Sequence, residues 1–355
     1  MKKFLALFLA LTLCFGLLAC GGNNGGAENE DTTPKVEDDG IMKILMIGHS
    51  LGNDSTYMLP DIARKNGVEK LVMGVIYHSG CRLNQHVDYI NNNAAQYAYY
   101  EFDISTEQEC WMRADSTGNF HAFHSGDGND TLIEDGTIAQ TMQFGISRHD
   151  WDIVVMQAGV FEAAGVIDSS YKLNIAGDIK TIQNYVLEND IEKGTAPKFA
   201  WNITWTCPSD DMLNDSYTKW LYAYFGSADE MYEAIARTAK DVAVPAYNWD
   251  YVLPSGTALQ NARSSKYEPK DLYRDTIHAS DFGRAIIGYT WFCTLFGKTI
   301  EECNIASIDS ELLIDNLMRN TGKDLELTQE QKDILVESVK NAMANPYAVT
   351  PSQYQ

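Results

Sequence analysis

The sequence predicts an α/β fold: a single three-layer α/β/α domain on a parallel sheet of about five strands, with an insertion and a C-terminal helix. Three observations carry this. Short, nearly continuous apolar runs alternate with helix-like segments, the pattern of strands buried on both faces and joined by right-handed crossovers. No internal repeat and no second composition boundary divides residues 41–355. With 45% hydrophobic residues in 355, the chain can fill one large core.

Ile41 to Ile47 is an apolar run closed by Gly48, read as the first strand. Leu59, Ile62 and Ala63 have helical spacing up to Gly67, with Pro60 at a helix start or kink. Leu71 to Tyr77 is a second strand running into His78-Ser79-Gly80-Cys81, and Val87 to Tyr100 reads as helix. Residues 101–135 are polar, Gly-rich and aromatic, and are read as an insertion holding a small hairpin. A helix is expected over Ile138 to Ile146 and a third strand over Trp151 to Met156. Tyr171 to Leu187 is an amphipathic helix, Pro197 to Thr204 a fourth strand, Asp229 to Asp241 a helix, and Val242 to Pro245 a fifth strand. Ser280 or Asp281 caps a helix over Phe282 to Phe296 that Gly297 closes. Residues 305–345 form a C-terminal helical extension, whose last helix starts at the capping box Thr328-x-x-Gln331.

The first 40 residues are read as an address and a tether. Lys2 and Lys3 precede an apolar run, Phe4 to Leu18, that is too short to span a bilayer comfortably and fits a signal peptide over 1–19. It ends in Leu17-Leu18-Ala19-Cys20, which looks like a bacterial lipobox with Cys20 lipidated. Acyl chains would then hold an exported protein on a membrane without spanning it. The following stretch to Gly40 is a disordered acidic tether, with Glu28, Glu30, Asp31, Glu37, Asp38 and Asp39 against Lys35. Most of the net charge of −22 therefore belongs to the folded part. That acidity argues against nucleic acid and anionic membrane surfaces as partners and leaves a neutral substrate open. Past Cys14 and Cys20, the odd set Cys81, Cys110, Cys207, Cys293 and Cys303 has no CxxC spacing, which is poor for structural zinc. Cys293 reads as a buried, inert thiol.

Gly48-His49-Ser50-Leu51-Gly52 matches G-x-S-x-G on a strand-to-helix turn, where a serine hydroxyl is exposed at the carboxyl edge of a sheet. Ser50 follows the first strand of the fold, which leaves no room for the strands that precede the nucleophile of α/β-hydrolases. Late in the chain stands Asp275-Thr276-Ile277-His278, opening the last core helix. Asp and His three residues apart supply a base and its orienter from one loop.

This order, Ser early and Asp-x-x-His late, resembles the SGNH hydrolases (GDSL-type esterases). Within them the chain is most similar to a group of SGNH-like exported bacterial proteins. The shared blocks are Gly80-Cys81-Arg82-Leu83 with His86, Trp151 to Gln157, Ala258 to Arg263, and Asp275 to Gly283, over most of 41–297. The resemblance implies a serine esterase acting on a small-molecule or glycan ester, most often an O-acetyl group, without metal or organic cofactor. Ser50 is the nucleophile, His278 the base and Asp275 the orienter. The Ser50 amide, Gly80 and the Gln157 side chain form the oxyanion site, although the family usually carries Asn where Gln157 stands.

His49, Arg82, Trp205 and Arg263 are the candidate substrate contacts, and Trp205 is the best stacking candidate because it lies just past a strand end. Plainer readings stand beside these. Ser50 could be a helix cap, His278 a satisfied core histidine, Asp275 a turn residue and Gln157 a partner for loop backbone. Arg82 and Arg263 either hold a substrate oxygen or offset the acidity. His121-x-x-His124 beside Asp127 and Asp130 matches neither zincin nor EF-hand spacing, so no metal is expected. The rival to an enzyme is a non-catalytic, carbohydrate-binding lipoprotein of the same fold.

Overall fold

In the computed structural model, the described residues are 40–106, 108, 111–122, 139–166, 173–189, 195–208, 212, 216–267, 269–308 and 324–355. The signal peptide, Cys20, nearly all of the tether, Cys110, His124, Asp127, Asp130, and parts of the insertion and of the C-terminal extension lie outside them.

Strand β1 (Met42–Gly48) leads into helices α1 (Ser50–Thr56) and α2 (Leu59–Lys65), and β2 (Leu71–Tyr77) leads into α3 (Leu83–Asn91). Three strands follow: β3 (Ala98–Asp103), β4 (Met112–Ala114) and β5 (Phe120–Ala122). Then come α4 (Met142–Ile146), β6 (Ile153–Met156), α5 (Val160–Ala163), α6 (Ile175–Asn189) and β7 (Lys198–Asn202). Helices α7 (Ser216–Phe225) and α8 (Ala228–Thr238) precede a wider π-type segment (Ala239–Ala243), α9 (Val244–Ala246) and β8 (Tyr251–Leu253). The chain closes through α10 (Ser255–Arg263), α11 (Pro269–Leu272), α12 (Asp281–Phe296) and α13 (Gln329–Ala344).

Among the described residues the strands form one sheet in the order β5-β4-β3-β2-β1-β6-β7-β8. The five strands β2, β1, β6, β7 and β8 are parallel, as the alternation of runs and helices requires. Every residue of β2 and β6 is buried, which is why these strands read as unbroken apolar runs. Helices α1, α2, α10, α12 and α13 pack together on one side of this sheet, and α3, α4 and α6 on the other. The stretch Asp38–Gln355 is one compact unit.

The structure corrects the reading at three places. The sheet is mixed, because β3, β4 and β5 extend it in antiparallel fashion beyond β2. Tyr97 to Tyr100 therefore belongs to an isolated bridge and a strand, not to a helix; Tyr99 and Tyr100 are buried, and aromatic side chains suit a pleated, half-buried surface. Val242 to Pro245 is helical, continuing α8, and the fifth parallel strand is β8. Three residues long at the sheet edge, with Tyr251 and Val252 only half buried, β8 leaves almost no apolar pattern.

The two caps read from the sequence are made. Ser280 Oγ accepts the Gly283 amide at 3.1 Å, and Gly297 ends α12 at φ 62°. Thr328 and Gln331 exchange hydrogen bonds of 3.2 and 2.9 Å at the start of α13.

Candidate active site

The chain leaves β1 and returns to the sheet first beside it as β2 and later on its other side as β6. Such a reversal opens a crevice at the carboxyl ends of the strands. A cavity of about 190 Å³ lies there, lined by His49, Ser50, Gly80, Arg82, Ile277 and His278, among others. Segments more than 220 residues apart in sequence thus meet in one wall.

Ser50 is the first residue of α1. Its amide has no acceptor within the helix, as first-turn amides lack one. Gly48 and Gly52 do not have positive φ. A Cβ at either would come within 2.7 or 2.6 Å of the Met46 methyl, so these glycines make room for packing under the turn. Gly80 differs: its φ of +60° is left-handed, and a Cβ there would meet nothing, so backbone conformation selects glycine.

His278 faces the cavity with a carboxylate behind it. Its Nδ1 donates to Asp275 Oδ2 at 2.9 Å, and Asp275 Oδ1 accepts the amides of Ile277 at 2.9 Å and His278 at 2.8 Å. Burial works against charge on Asp275, but the His278 ring and these amides outweigh it and hold the carboxyl below its usual range. Asp275 therefore stays ionised and fixes the His278 tautomer with Nε2 free of the pair. No hydrogen bond joins Ser50 Oγ to His278 among the described residues; the two side chains share the cavity wall.

What brings these distant segments together is a carboxylate that sequence reasoning missed. Asp54, one turn after Ser50 on α1, is 1% exposed. It accepts from Arg284 Nε at 2.9 Å, from Arg274 Nη1 at 2.8 Å, and from the Ala279 amide at 3.0 Å. Burial opposes its charge, and the two guanidinium groups overcome that, so its pKa is lowered. One carboxylate thus ties the helix of Ser50 to the loop of Asp275 and His278. The available signal was Arg284, a lone charge in the apolar run of α12. On the opposite wall, fully buried Glu162 accepts the Leu83 amide at 3.0 Å and the Gly159 amide at 3.2 Å, fixing the loop that carries Gly80 and Arg82.

Other candidates are placed differently from expectation. Gln157 is 1% exposed and is absent from the cavity wall; its Oε1 accepts Asn202 Nδ2 at 2.8 Å, and its Nε2 lies 3.2 Å from His49 Nε2. Its carboxamide is aimed behind the cavity, at His49, which corrects its reading as an oxyanion donor. His49 does line the cavity, but it is 4% exposed and caps α1, with Nδ1 3.4 Å from the Leu51 amide. A neutral imidazole accepts at only one nitrogen, so the Leu51 and Gln157 contacts belong to different tautomers. Burial lowers the His49 pKa to about 4, so the ring is neutral at pH 7. Trp205 is fully buried and donates from Nε1 to the Ile277 carbonyl at 2.7 Å, so it anchors the His278 loop and offers no face to a sugar. Arg263 lines a separate hollow of about 550 Å³ and binds Asp229 and Gln260 there.

The exposed aromatic surface is elsewhere. Phe161, on the cavity wall, stacks on Trp220 at 5.5 Å and 11°, and Trp220 meets Tyr224 at 5.8 Å. Trp220 is 46% exposed and Tyr224 63%. Composition alone could not separate Trp220 from the buried tryptophans. Among the described residues no three His, Cys, Asp or Glu side chains are placed to hold a metal; His121 pairs with Asp115 and His149 with Glu101.

No curated protein matches the chain. Among solved structures it is similar to a DUF4886 family protein from Bacteroides uniformis, at 22% identity over 88% of this chain and 98% of that one, with a TM-score of 0.59. Weaker likenesses are to a GDSL-like lipase from Parabacteroides merdae and to a mutant of an acetylxylan esterase from Geobacillus stearothermophilus. Each is 11% identical over 71% of this chain; they cover 94% and 92% of those chains, with TM-scores of 0.40 and 0.36. The family model that matches is DUF4886, a domain of unknown function, over residues 127–320. The chain belongs to the DUF4886 family.

Proposed function

We propose that this protein is a serine ester hydrolase of SGNH type that removes short acyl groups, chiefly O-acetyl, from a carbohydrate. The observation that carries the reading is the His278–Asp275 pair facing Ser50 in one cavity at the switch point of the sheet. Ser50 Oγ attacks the ester carbonyl while His278 Nε2 takes its proton. The tetrahedral intermediate collapses as His278 returns that proton to the leaving alkoxide, and water then releases the acid by the same route in reverse. The oxyanion is held by the backbone amides of Ser50 and Gly80, with Gln157 acting only indirectly, through His49. A cavity of about 190 Å³ suits a short acyl group, since pockets for drug-sized ligands run from roughly 300 Å³ upward. The surface of Trp220 and Tyr224, continuous with Phe161, supports a sugar as the part of the substrate left outside. Cys20 is the proposed lipid anchor of an exported chain.

The placement of Gln157 favours one second reading, a carbohydrate-binding protein that has lost its oxyanion side chain. Turnover of p-nitrophenyl acetate by wild type and by Ser50→Ala separates the two. Hydrolysis that vanishes in the variant, with fluorophosphonate labelling of Ser50, is expected. Absence of both in the wild type sinks the esterase reading.

A further inference from the structure

Cys293 lies in the last turn of α12, and Cys303 follows the 3-10 turn Ile300–Glu302. Their sulfurs are 3.6 Å apart. The approach is imposed by the backbone: the Asn304 amide donates to Asn66 Oδ1 at 2.6 Å, and the Tyr289 hydroxyl donates to the Asn304 carbonyl at 2.9 Å. The segment after Cys303 is therefore pinned to α2 and α12, whatever the thiols do. Sulfurs in van der Waals contact need to close by only about 1.5 Å to reach a bonded separation, a matter of side-chain rotation.

We propose that Cys293 and Cys303 form an intramolecular disulfide by exchange with a small-molecule or protein disulfide. Cys303 is the attacking thiol, because it is half exposed whereas Cys293 is fully buried. Either thiol can donate in this contact, and Cys303 also donates to the Thr299 carbonyl at 3.4 Å; the pairing draws the Cys303 pKa down and that of Cys293 up. In the first step the Cys303 thiolate displaces one thiolate from the oxidant and forms a mixed disulfide. In the second, Cys293 loses its proton and its sulfur displaces the other thiolate. Two protein thiols lose two electrons and two protons, and the oxidant's disulfide is reduced to two thiols. The bond closes the turn that ends α12, the helix whose first residues follow His278.

The test uses the full chain equilibrated with glutathione disulfide, alkylated with iodoacetamide, digested and weighed by mass spectrometry. A linked peptide holding Cys293 and Cys303, separated by dithiothreitol, is expected, together with a Tm gain on the order of 5 °C over the reduced protein. Cys293→Ser should stop at the mixed disulfide on Cys303, and Cys303→Ser should leave residue 293 unmodified and show no oxidant-dependent gain. Recovery of both wild-type thiols as alkylated cysteines overturns the proposal. Glutathione found on Cys293 in Cys303→Ser overturns the assigned order of attack.

Discussion

Two of the hollows among the described residues differ in kind. The one around Ser50 measures about 190 Å³, and the one lined by Arg263, Tyr232 and Tyr347 about 550 Å³. The larger has the space; the smaller has a hydroxyl, an imidazole with its carboxylate, and a left-handed glycine, each fixed by a buried acid behind it. Asp54 holds one wall and Glu162 the other. Volume alone would favour the larger hollow, whereas convergence of titratable groups on a rigid support favours the smaller one, on which the proposed function rests.

The most severe way to break this comparison is to remove the support rather than the nucleophile. Asp54→Asn keeps the shape and could still accept the Ala279 amide, but it takes the shared carboxylate from Arg274 and from buried Arg284, leaving Arg284 the longer, 3.3 Å pair to Asp281. Breaking a buried pair typically costs about 3–5 kcal/mol. Loosening of the His278 loop by even an ångström costs on the order of 10² in kcat. Chemical denaturation and fluorophosphonate labelling rates read the two effects separately. Wild-type labelling in a destabilised Asp54→Asn protein would mean that Asp54 holds the fold and not the site.

The same network shows what the sequence could and could not disclose. The strands β1, β2, β6 and β7 were legible because burial on both faces writes an unbroken apolar run, and α12 was legible from Ser280 and Gly297. Ser50, Asp275 and His278, which the fold brings to one cavity, could be proposed from the sequence because their chemistry is packed into short local motifs. Asp54 could not, because its partner Arg284 lies 230 residues away and nothing local marks the pair. Gln157 and Trp205 were misread for a related reason. Both lie at strand ends, where a side chain can turn into the crevice or back under it, and only the packing of Asn202 and Ile277 decides which.

The next prediction concerns pH. His49 lines the small cavity and His86 is buried on α3, and burial lowers their pKa values to about 4 and about 3. The unfolded chain binds protons on both below about pH 6.5, while the folded chain does not. Their contribution is therefore complete above pH 6.5 and is lost as pH falls toward 4. Each ring should cost on the order of 2 kcal/mol by pH 5. Asp54 has the opposite charge type and a lowered pKa, so its contribution persists until pH falls below the ordinary carboxyl range. Tm measured from pH 7 to pH 5 should fall, and His86→Gln should flatten that slope. An unchanged slope would remove the acid sensitivity from this region.

A smaller effect should come from the rim. Trp220→Ala removes an exposed ring that touches the cavity only through Phe161. It should leave turnover of p-nitrophenyl acetate within about twofold of wild type. KM for an O-acetylated oligosaccharide should rise on the order of tenfold, the worth of roughly 1.4 kcal/mol. Equal losses on both substrates would make Trp220 a packing residue.

The smallest effect is expected in the larger hollow, where the comparison is most exposed to failure. Arg263 contacts Gln260 and Asp229, and Asp229 is 78% exposed, so the pair is largely screened by solvent. Arg263→Ala should cost no more than about 1 kcal/mol of stability. It should also leave kcat/KM unchanged for p-nitrophenyl acetate and for the oligosaccharide. If the oligosaccharide reaction weakens while the small ester does not, the substrate extends from the small cavity into the large one. The two hollows are then one binding surface, with its chemistry at one end and its recognition at the other.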